Sequence, residues 1–245
     1  MASISYDPTP FKVRESLESA HQRVWARLAS AGTWLDTKTR IFVAEEARFA
    51  RDCDLCAVRK ASLSPYTMDG DHDDLGNLPD NWVEAIHRIV SDPGRLTHSW
   101  YNKTIASGLS ETEYVEIVSV IAHVTAIDTF ARGLGIPTQP FPIPQPGNPS
   151  RYRPAEAHVT DAWVPTIAWN EAGPNEADLF VGSASNIRRA LTLVPDEARS
   201  FFDLAASQYL SGPQMRDFSK EYRAITHAQI ELVAARVSAL NQCTY

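Results

Sequence analysis

The apolar rhythm of the sequence most constrains its fold, because most segments between prolines repeat apolar residues every three to four positions. The clearest example begins at Ser110, where Ser110-x-x-Glu113 forms a capping-box pattern and apolar residues from Tyr114 to Ile127 then share one face. This helix is expected to end near Arg132, just before two glycines. Glycine, a poor helix former, is scarce at 11 of 245 residues. The sequence therefore predicts an all-α fold.

The same rhythm predicts seven more helices along the chain. They are expected near residues 14–31, 37–62, 80–91, 96–107, 177–193, 196–210 and 226–241. The last of them begins with Thr226-x-x-Gln229, a second capping-box pattern.

A proline-rich segment separates the two helical parts. Residues 136–154 contain seven prolines, which fix φ and remove backbone donors, so this segment is predicted to be an extended strap and not a helix. It could instead be a polyproline ligand for a recognition domain. An intramolecular strap is favoured, because several apolar side chains look like anchors onto the protein's own surface. These are Phe141, Ile143, Trp163, Val164 and Ile167.

Charge and hydropathy argue against nucleic acids and membranes as partners of this protein. The net charge is −7, and lysine and arginine are spread along the chain, which argues against a nucleic-acid surface or an acidic membrane as partner. No apolar run approaches the ~20 residues that span a bilayer, and residues 1–18 are polar with two prolines. We therefore expect a cytoplasmic protein that acts on a small substrate.

Cysteine usage suggests redox chemistry. Three cysteines are an odd number, unlike the framework of a secreted disulfide-rich protein. Cys53 and Cys56 are three residues apart, so near the start of a helix their sulfurs could meet and cycle between dithiol and disulfide. Such a pair needs a base, a cation or a helix N-terminus to stabilise one thiolate. Two buried cysteines acting as small hydrophobes are the alternative. A metal site is not expected, because a second C-x-x-C or an H-x-x-x-H is missing.

Two distant phrases of the chain match, and each ends on a cysteine. Val43 stands ten residues before Cys53, and Val233 stands ten residues before Cys243, with similar residues between. We interpret this as a duplicated half with a thiol at the same place in each copy. The predicted organisation is an N-terminal half over 1–135, a crossover over 136–165 and a C-terminal half over 166–245.

The chain resembles a known family in its C-terminal phrase. It is similar to the AhpD-like alkylhydroperoxidases of the carboxymuconolactone decarboxylase superfamily in Thr226-x-x-Gln229-x-Glu231-Leu232-Val233-Ala234-x-Arg236-Val237-Ser238-x-Leu240-Asn241-x-Cys243-x-Tyr245. Residues 34–63 and, more loosely, 113–135 resemble the family too. The resemblance implies an orthogonal helical bundle that forms homo-oligomers, with a glutamate, a C-x-x-C and a following histidine as its site.

Transferred onto this sequence, the family pattern makes Glu231 the proton-relay carboxylate and Cys243 the first cysteine of a redox pair. The second cysteine would fall directly after Tyr245, so we expect the sequence to be truncated inside the motif.

The N-terminal copy departs from the pattern in a different way. Its C-x-x-C is complete, but Ile41 and Lys60 occupy the positions of the glutamate and the histidine. Glu45 or Glu46 is the candidate substitute for the missing carboxylate.

Histidine is the other residue type that could relay a proton to a cysteine. His123, in the helix predicted for 110–132, is a candidate relay, with a core histidine as the alternative. His72 follows Cys56 by sixteen residues and could fold back over it, whereas the spacing of His87 and His98 predicts nothing.

The resemblance and the C-x-x-C together predict a thiol peroxidase. A thiolate would attack a hydroperoxide to give a sulfenic acid, the neighbouring cysteine would condense with it, and a dithiol reductant would restore the pair. No cofactor is needed. The alternatives are a non-catalytic helical scaffold, and the lactone decarboxylation for which the superfamily is named.

Overall fold

The prediction of an all-α protein is confirmed. The computed structural model describes residues 4–7, 9–180, 185–241 and 243, and across these ranges it contains ten α-helices and no β-strand. The helices are α1 Glu15–Leu28, α2 Thr37–Phe49, α3 Asp54–Ala61, α4 Asp80–Ser91, α5 His98–Ala106, α6 Glu111–Gly133, α7 Asn186–Arg189, α8 Pro195–Gln208, α9 Gly212–Arg216 and α10 His227–Leu240.

Helix α6 is the centre of the core. Both expected capping boxes form, Ser110 with Glu113 at the start of α6 and Thr226 with Gln229 at the start of α10. Helix α2 packs along α6, α4 also contacts both of these helices, and α8 lies against α1 and α6. One continuous apolar cluster runs through these helices, from Ile4 to Leu204. This cluster joins residues that lie on both sides of the proline-rich segment.

Helix α6 also corrects the expectation that no apolar run reaches membrane-spanning length. Its 23 residues include an 18-residue window with mean hydropathy 1.4, enough by length and composition to cross a bilayer. Of that window, 67% is buried inside the protein. Such burial is typical of a central core helix, whose apolar surface is covered by its neighbours.

Two expected helices are interrupted. Residues 37–62 do not form one helix: α2 ends at Phe49, a 3-10 turn covers Ala50–Asp52, and Cys53 is extended before α3 begins. For the helix expected over 177–193, the structure has a 3-10 turn at Ala177–Phe180 and the single turn of α7, while residues 181–184 lie outside the described residues. The short helix α9 was not expected.

The proline-rich segment is extended and packs on the protein's own surface. The Gln145 N–H donates to the Ala29 carbonyl at 2.8 Å, and Phe141 stacks on Trp25 with ring centroids 6.0 Å apart. Ile167 is buried, as an anchor should be, but Ile143 is 66% exposed, so its expected anchoring role is wrong. The Phe141 ring and the Gln145 backbone make the contacts of this stretch, and the Ile143 side chain is exposed to solvent.

A buried ion cluster joins helices α2, α6 and α8, and Arg27 of α1 also contacts it. Arg40 of α2 pairs with Glu116 of α6 and lies 2.8 Å from Glu197 of α8, which Arg27 also contacts at 2.7 Å. The Trp34 N–H donates to Glu116 at 2.7 Å. Because charges buried together must be paired and hydrogen-bonded, this cluster fixes the register between α2, α6 and α8.

His21 should make stability depend on pH. Its fully buried ring lies between Tyr6 and Gln208, and burial lowers the pKa of His21 to about 4. The unfolded chain takes up this proton near pH 6.5 and the folded chain only near 4, so the stabilisation is present above pH 6.5 and lost as the pH falls. Between pH 7 and 4.5 the wild type should lose about 2–3 kcal/mol more than His21→Gln in urea unfolding. Equal losses would contradict this.

Candidate functional site

Both N-terminal cysteines lie at the start of α3. Cys53 is the extended N-cap residue, with φ −72° and ψ 124°, and Cys56 is in the first helical turn. The sulfurs therefore sit near the N-terminus of a helix, where backbone N–H groups favour a thiolate. Both residues are buried, with 1% and 3% of their surface exposed.

Two histidines complete the site. His72, from the loop between α3 and α4, places Nδ1 3.4 Å from the Cys53 sulfur and 3.7 Å from the Cys56 sulfur. His87 of α4 places its Nδ1 3.4 Å from the Cys56 sulfur. One ligand atom from each of the four residues lies within 4.8 Å of the other three. We refer to Cys53, Cys56, His72 and His87 as the dithiol cluster.

Each histidine contacts a carboxylate through Nε2, the ring nitrogen on the side away from the sulfurs. His87 Nε2 lies 2.8 Å from Glu46 Oε1, and His72 Nε2 lies 2.8 Å from Glu84 Oε2. Arg59 donates to the same Glu84 oxygen at 2.7 Å. With each Nε2 donating its proton to a carboxylate, Nδ1 of both rings faces the sulfurs. The result is two parallel relays, carboxylate to imidazole to sulfur.

The cluster changes the protonation of its members. Burial opposes ionisation of Cys56, but hydrogen bonds from His72, His87 and Ser91 outweigh it and lower the pKa of this thiol to about 6. Burial also opposes the charged form of both rings, yet hydrogen bonds to Cys56 and to the carboxylates raise the pKa of His72 to about 10 and that of His87 to about 9. Near neutral pH the site therefore favours a Cys56 thiolate beside imidazolium rings.

The loop between α3 and α4 covers the cluster. The Leu75 N–H donates to Glu46 at 3.1 Å, and Asp73 accepts from the Asp54 N–H at 3.1 Å, which ties the loop to the start of α3. Gly70 has φ +153° and lies so close to Leu55 that a Cβ there would be 3.2 Å from its side chain. The loop thus lies tightly over the site and positions His72.

The structure brings four of the sequence-derived candidates together, Cys53, Cys56, Glu46 and His72, and leaves three others elsewhere. Glu46 is linked to the Cys56 sulfur through His87, and this distinguishes it from the half-buried Glu45. His72 folds back over the C-x-x-C, as the sequence allowed.

The other candidates have different surroundings. His123 is buried, and its ring contacts Ser119 and Ser200, at 2.7 Å from the Ser119 carbonyl and 3.1 Å from the Ser200 hydroxyl. Glu231 is half-exposed on α10 and accepts from Tyr209 at 2.6 Å, and Cys243 is exposed. Tyr245, after which the sequence was expected to be truncated, lies outside the described residues, so the structure does not test this expectation.

Sequence reasoning missed His87 and Glu84. They are three residues apart on α4 and share its inner face with buried Val83. The available signal was a histidine four residues after Val83 on the apolar side of an amphipathic helix, because a buried polar side chain requires a partner. The Glu84 side chain is 34% exposed and gave no such signal. The spacing from Cys56 carried no such information.

Comparisons with known proteins add no family or fold assignment. No protein-family model matches this chain, and neither a curated protein nor a solved structure gives a match.

Proposed function

We propose that the protein is a thiol-dependent peroxidase of the AhpD-like kind, which reduces organic hydroperoxides at Cys56 with Cys53 as its partner. The observation that carries this proposal is the hydrogen-bonded chain from Glu46 through His87 to the Cys56 sulfur. A carboxylate that orients an imidazole, which in turn contacts a thiol, is the general arrangement of an activated nucleophile. Among the described residues the Cys53 sulfur hydrogen-bonds with the His72 ring, whereas the Cys56 sulfur does so with both His72 and His87, so Cys56 is the better nucleophile.

The first step is attack of the Cys56 thiolate on the terminal oxygen of the hydroperoxide. The O–O bond breaks, Cys56 is oxidised to a sulfenic acid, and the departing alkoxide takes a proton from the His87 imidazolium to leave as an alcohol. Glu46 stabilises the charged ring before this transfer. The terminal oxygen of the hydroperoxide thus ends on the Cys56 sulfur, and the His87 proton ends on the alcohol.

The second step forms the disulfide. The Cys53 sulfur attacks the Cys56 sulfenic acid, water leaves, and an S–S bond forms between residues whose sulfurs lie within 4.8 Å of each other. A dithiol reductant then attacks this bond, is itself oxidised to a disulfide, and returns both cysteines to thiols.

The burial of both cysteines means that the covering loop has to move for substrate to enter. The loop is tied down by the Leu75 N–H to Glu46 and the Asp54 N–H to Asp73 contacts. We expect such opening, rather than the chemistry, to limit turnover with bulky hydroperoxides.

The test is the consumption of cumene hydroperoxide by the full chain with dithiothreitol as reductant. Wild type and Ala57→Ser, a matched control on an exposed position of α3, should both consume peroxide in proportion to protein concentration. Consumption no faster than with dithiothreitol alone, together with thiols that resist alkylation, would support the scaffold alternative.

Glu46→Gln should separate a relay from a merely structural carboxylate. Because glutamine keeps the shape but cannot stabilise the imidazolium, we expect the rate of Cys56 oxidation to fall about 10- to 100-fold. The control is Glu45→Gln, one residue away and half-buried, with a rate like the wild type. The pH dependence of the rate of Cys56 oxidation should also shift in Glu46→Gln but not in Glu45→Gln. A rate and a pH profile that both stay unchanged would remove Glu46 from the relay.

A further inference from the structure

We propose that the reduced dithiol cluster is also a zinc site, which binds one Zn²⁺ through the two sulfurs and the Nδ1 atoms of His72 and His87. Zinc prefers four tetrahedral ligands from cysteine and histidine, and Cys₂His₂ is a common set in closed protein sites. The sequence did not suggest this site, because its histidines come from a loop and from α4 rather than from a second short motif.

The spacing of the ligand atoms fits the ion. A tetrahedral zinc ion with Zn–S bonds of about 2.3 Å and Zn–N bonds of about 2.0 Å holds neighbouring sulfur and nitrogen ligands about 3.5 Å apart. The sulfur to Nδ1 distances are 3.4 Å from Cys53 to His72, 3.7 Å from Cys56 to His72, and 3.4 Å from Cys56 to His87. Three edges of the tetrahedron are therefore already close to their zinc-bound lengths.

The groups behind the histidines also fit a metal centre. Histidines that bind zinc almost always donate their other ring N–H to a carboxylate, a backbone carbonyl or water, which fixes the tautomer and the orientation of the ring. Here both rings do so, His87 to Glu46 and His72 to Glu84, each at 2.8 Å. A peroxidase relay to Cys56 requires only one histidine–carboxylate pair, whereas a four-ligand zinc site uses both pairs.

Charge and enclosure support the same assignment. Binding releases the protons still held by the sulfurs and by Nδ1 of the two rings, so two thiolates balance the charge of Zn²⁺, two neutral imidazoles complete the ligand set, and no electron is transferred. Both cysteines and His87 are buried, and the His72 side chain is only 7% exposed. With four protein ligands enclosed in this way, no coordination position remains for water or substrate.

Zinc binding and peroxide reduction should exclude one another at this site. In the zinc-bound state both sulfurs are coordinated, so neither is free to attack an O–O bond, and oxidation to a disulfide removes the ligands for zinc. Zinc would then protect the reduced pair. The zinc proposal itself does not depend on turnover, because it rests on the ligand geometry.

The first experiment uses the full reduced chain, stripped of metal with a chelator and then titrated with Zn²⁺ or Co²⁺. After desalting, we expect one zinc per chain by elemental analysis. Cobalt should give thiolate-to-metal charge-transfer bands and visible bands of tetrahedral intensity. Retention of no zinc, or a cobalt spectrum without thiolate bands, would overturn the proposal. This readout requires no variant and so does not depend on whether a variant folds.

Variants then assign the ligands and their supports. Cys56→Ser and His87→Gln should each lose the bound zinc, whereas Glu84→Gln should keep the stoichiometry but bind about 10- to 100-fold more weakly. The matched controls are Ala57→Ser and His158→Gln. His158 is an exposed histidine that also faces a glutamate, Glu171 at 3.5 Å, but has no cysteine beside it. Zinc binding unchanged in Cys56→Ser would overturn the assignment.

The two proposals fail in different ways. If the metal-free chain consumes cumene hydroperoxide and retains no zinc, the zinc site is wrong and the peroxidase stands. If one zinc is retained but the metal-free chain consumes no peroxide, the site is a metal centre without the proposed redox activity. If both hold, added zinc should suppress peroxide consumption, and a chelator should restore it.

Discussion

Cys56→Ser should abolish hydroperoxide consumption, with a loss of more than about 10³-fold relative to the wild type, because a serine hydroxyl cannot replace the attacking thiolate. His87 and His72 would then face a group that holds its proton near neutral pH. The variant should still fold, since serine differs from cysteine by one atom. The measurement is peroxide consumption with dithiothreitol, with Ala57→Ser alongside as the matched control.

Cys53→Ser should behave differently, and the difference assigns the two roles. Without its partner, Cys56 should still consume one equivalent of peroxide and stop as a sulfenic acid, which dimedone labels and mass spectrometry locates. The opposite pattern, with a first turnover in Cys56→Ser and none in Cys53→Ser, would reverse the assignment of nucleophile and partner.

Arg40→Leu should destabilise the fold by about 3–5 kcal/mol, because it leaves buried Glu116 without a cation and Glu197 with Arg27 alone. Arg40 is 2% exposed, so water cannot replace it. The measurement is the free energy of unfolding in urea.

Arg23→Leu is the matched control for this prediction. Arg23 also pairs with an aspartate of α8, Asp203 at 2.8 Å, but both side chains are about half exposed. Its loss should therefore cost at most about 1 kcal/mol. Equal losses in the two variants would mean that the buried cluster does not hold the three helices together.

The helices could be predicted where local pattern decides them. Residues 80–91 were expected as a helix and form α4 over the same range, and both capping boxes form as their sequences indicate. The break at 50–53 could not be predicted in this way, because the apolar rhythm continues through it. Part of its cause is tertiary, since Asp73 from a distant loop accepts from the Asp54 N–H at the new helix start.

The candidate site could be predicted only in part, because some of its residues are set by local sequence pattern and others by tertiary contacts. Cys53, Cys56 and Glu46 follow from local spacing, but His87 reaches Cys56 only because α4 packs against α2 and α3. The separation of Cys56 and His87 along the sequence does not predict that contact. The site's second carboxylate, Glu84, comes with the same helix.

The duplication of the two halves stays a prediction. The matched segments have different surroundings in the structure: seven residues of α2 are buried in the core, but only His227 and Ile230 of α10 are. Similar apolar spacing therefore predicted a helix at both places, although the first helix ends at Phe49, before its cysteine. The spacing did not predict how much of each helix the core would bury.

The most direct test of the proposed dithiol chemistry is mass spectrometry of the metal-free, reduced protein after thiol alkylation, before and after one equivalent of cumene hydroperoxide. We expect peroxide to remove two alkylatable thiols and to yield a peptide in which Cys53 and Cys56 are joined by a disulfide. Unchanged alkylation of both cysteines, in protein whose folded state is verified by circular dichroism, would contradict it.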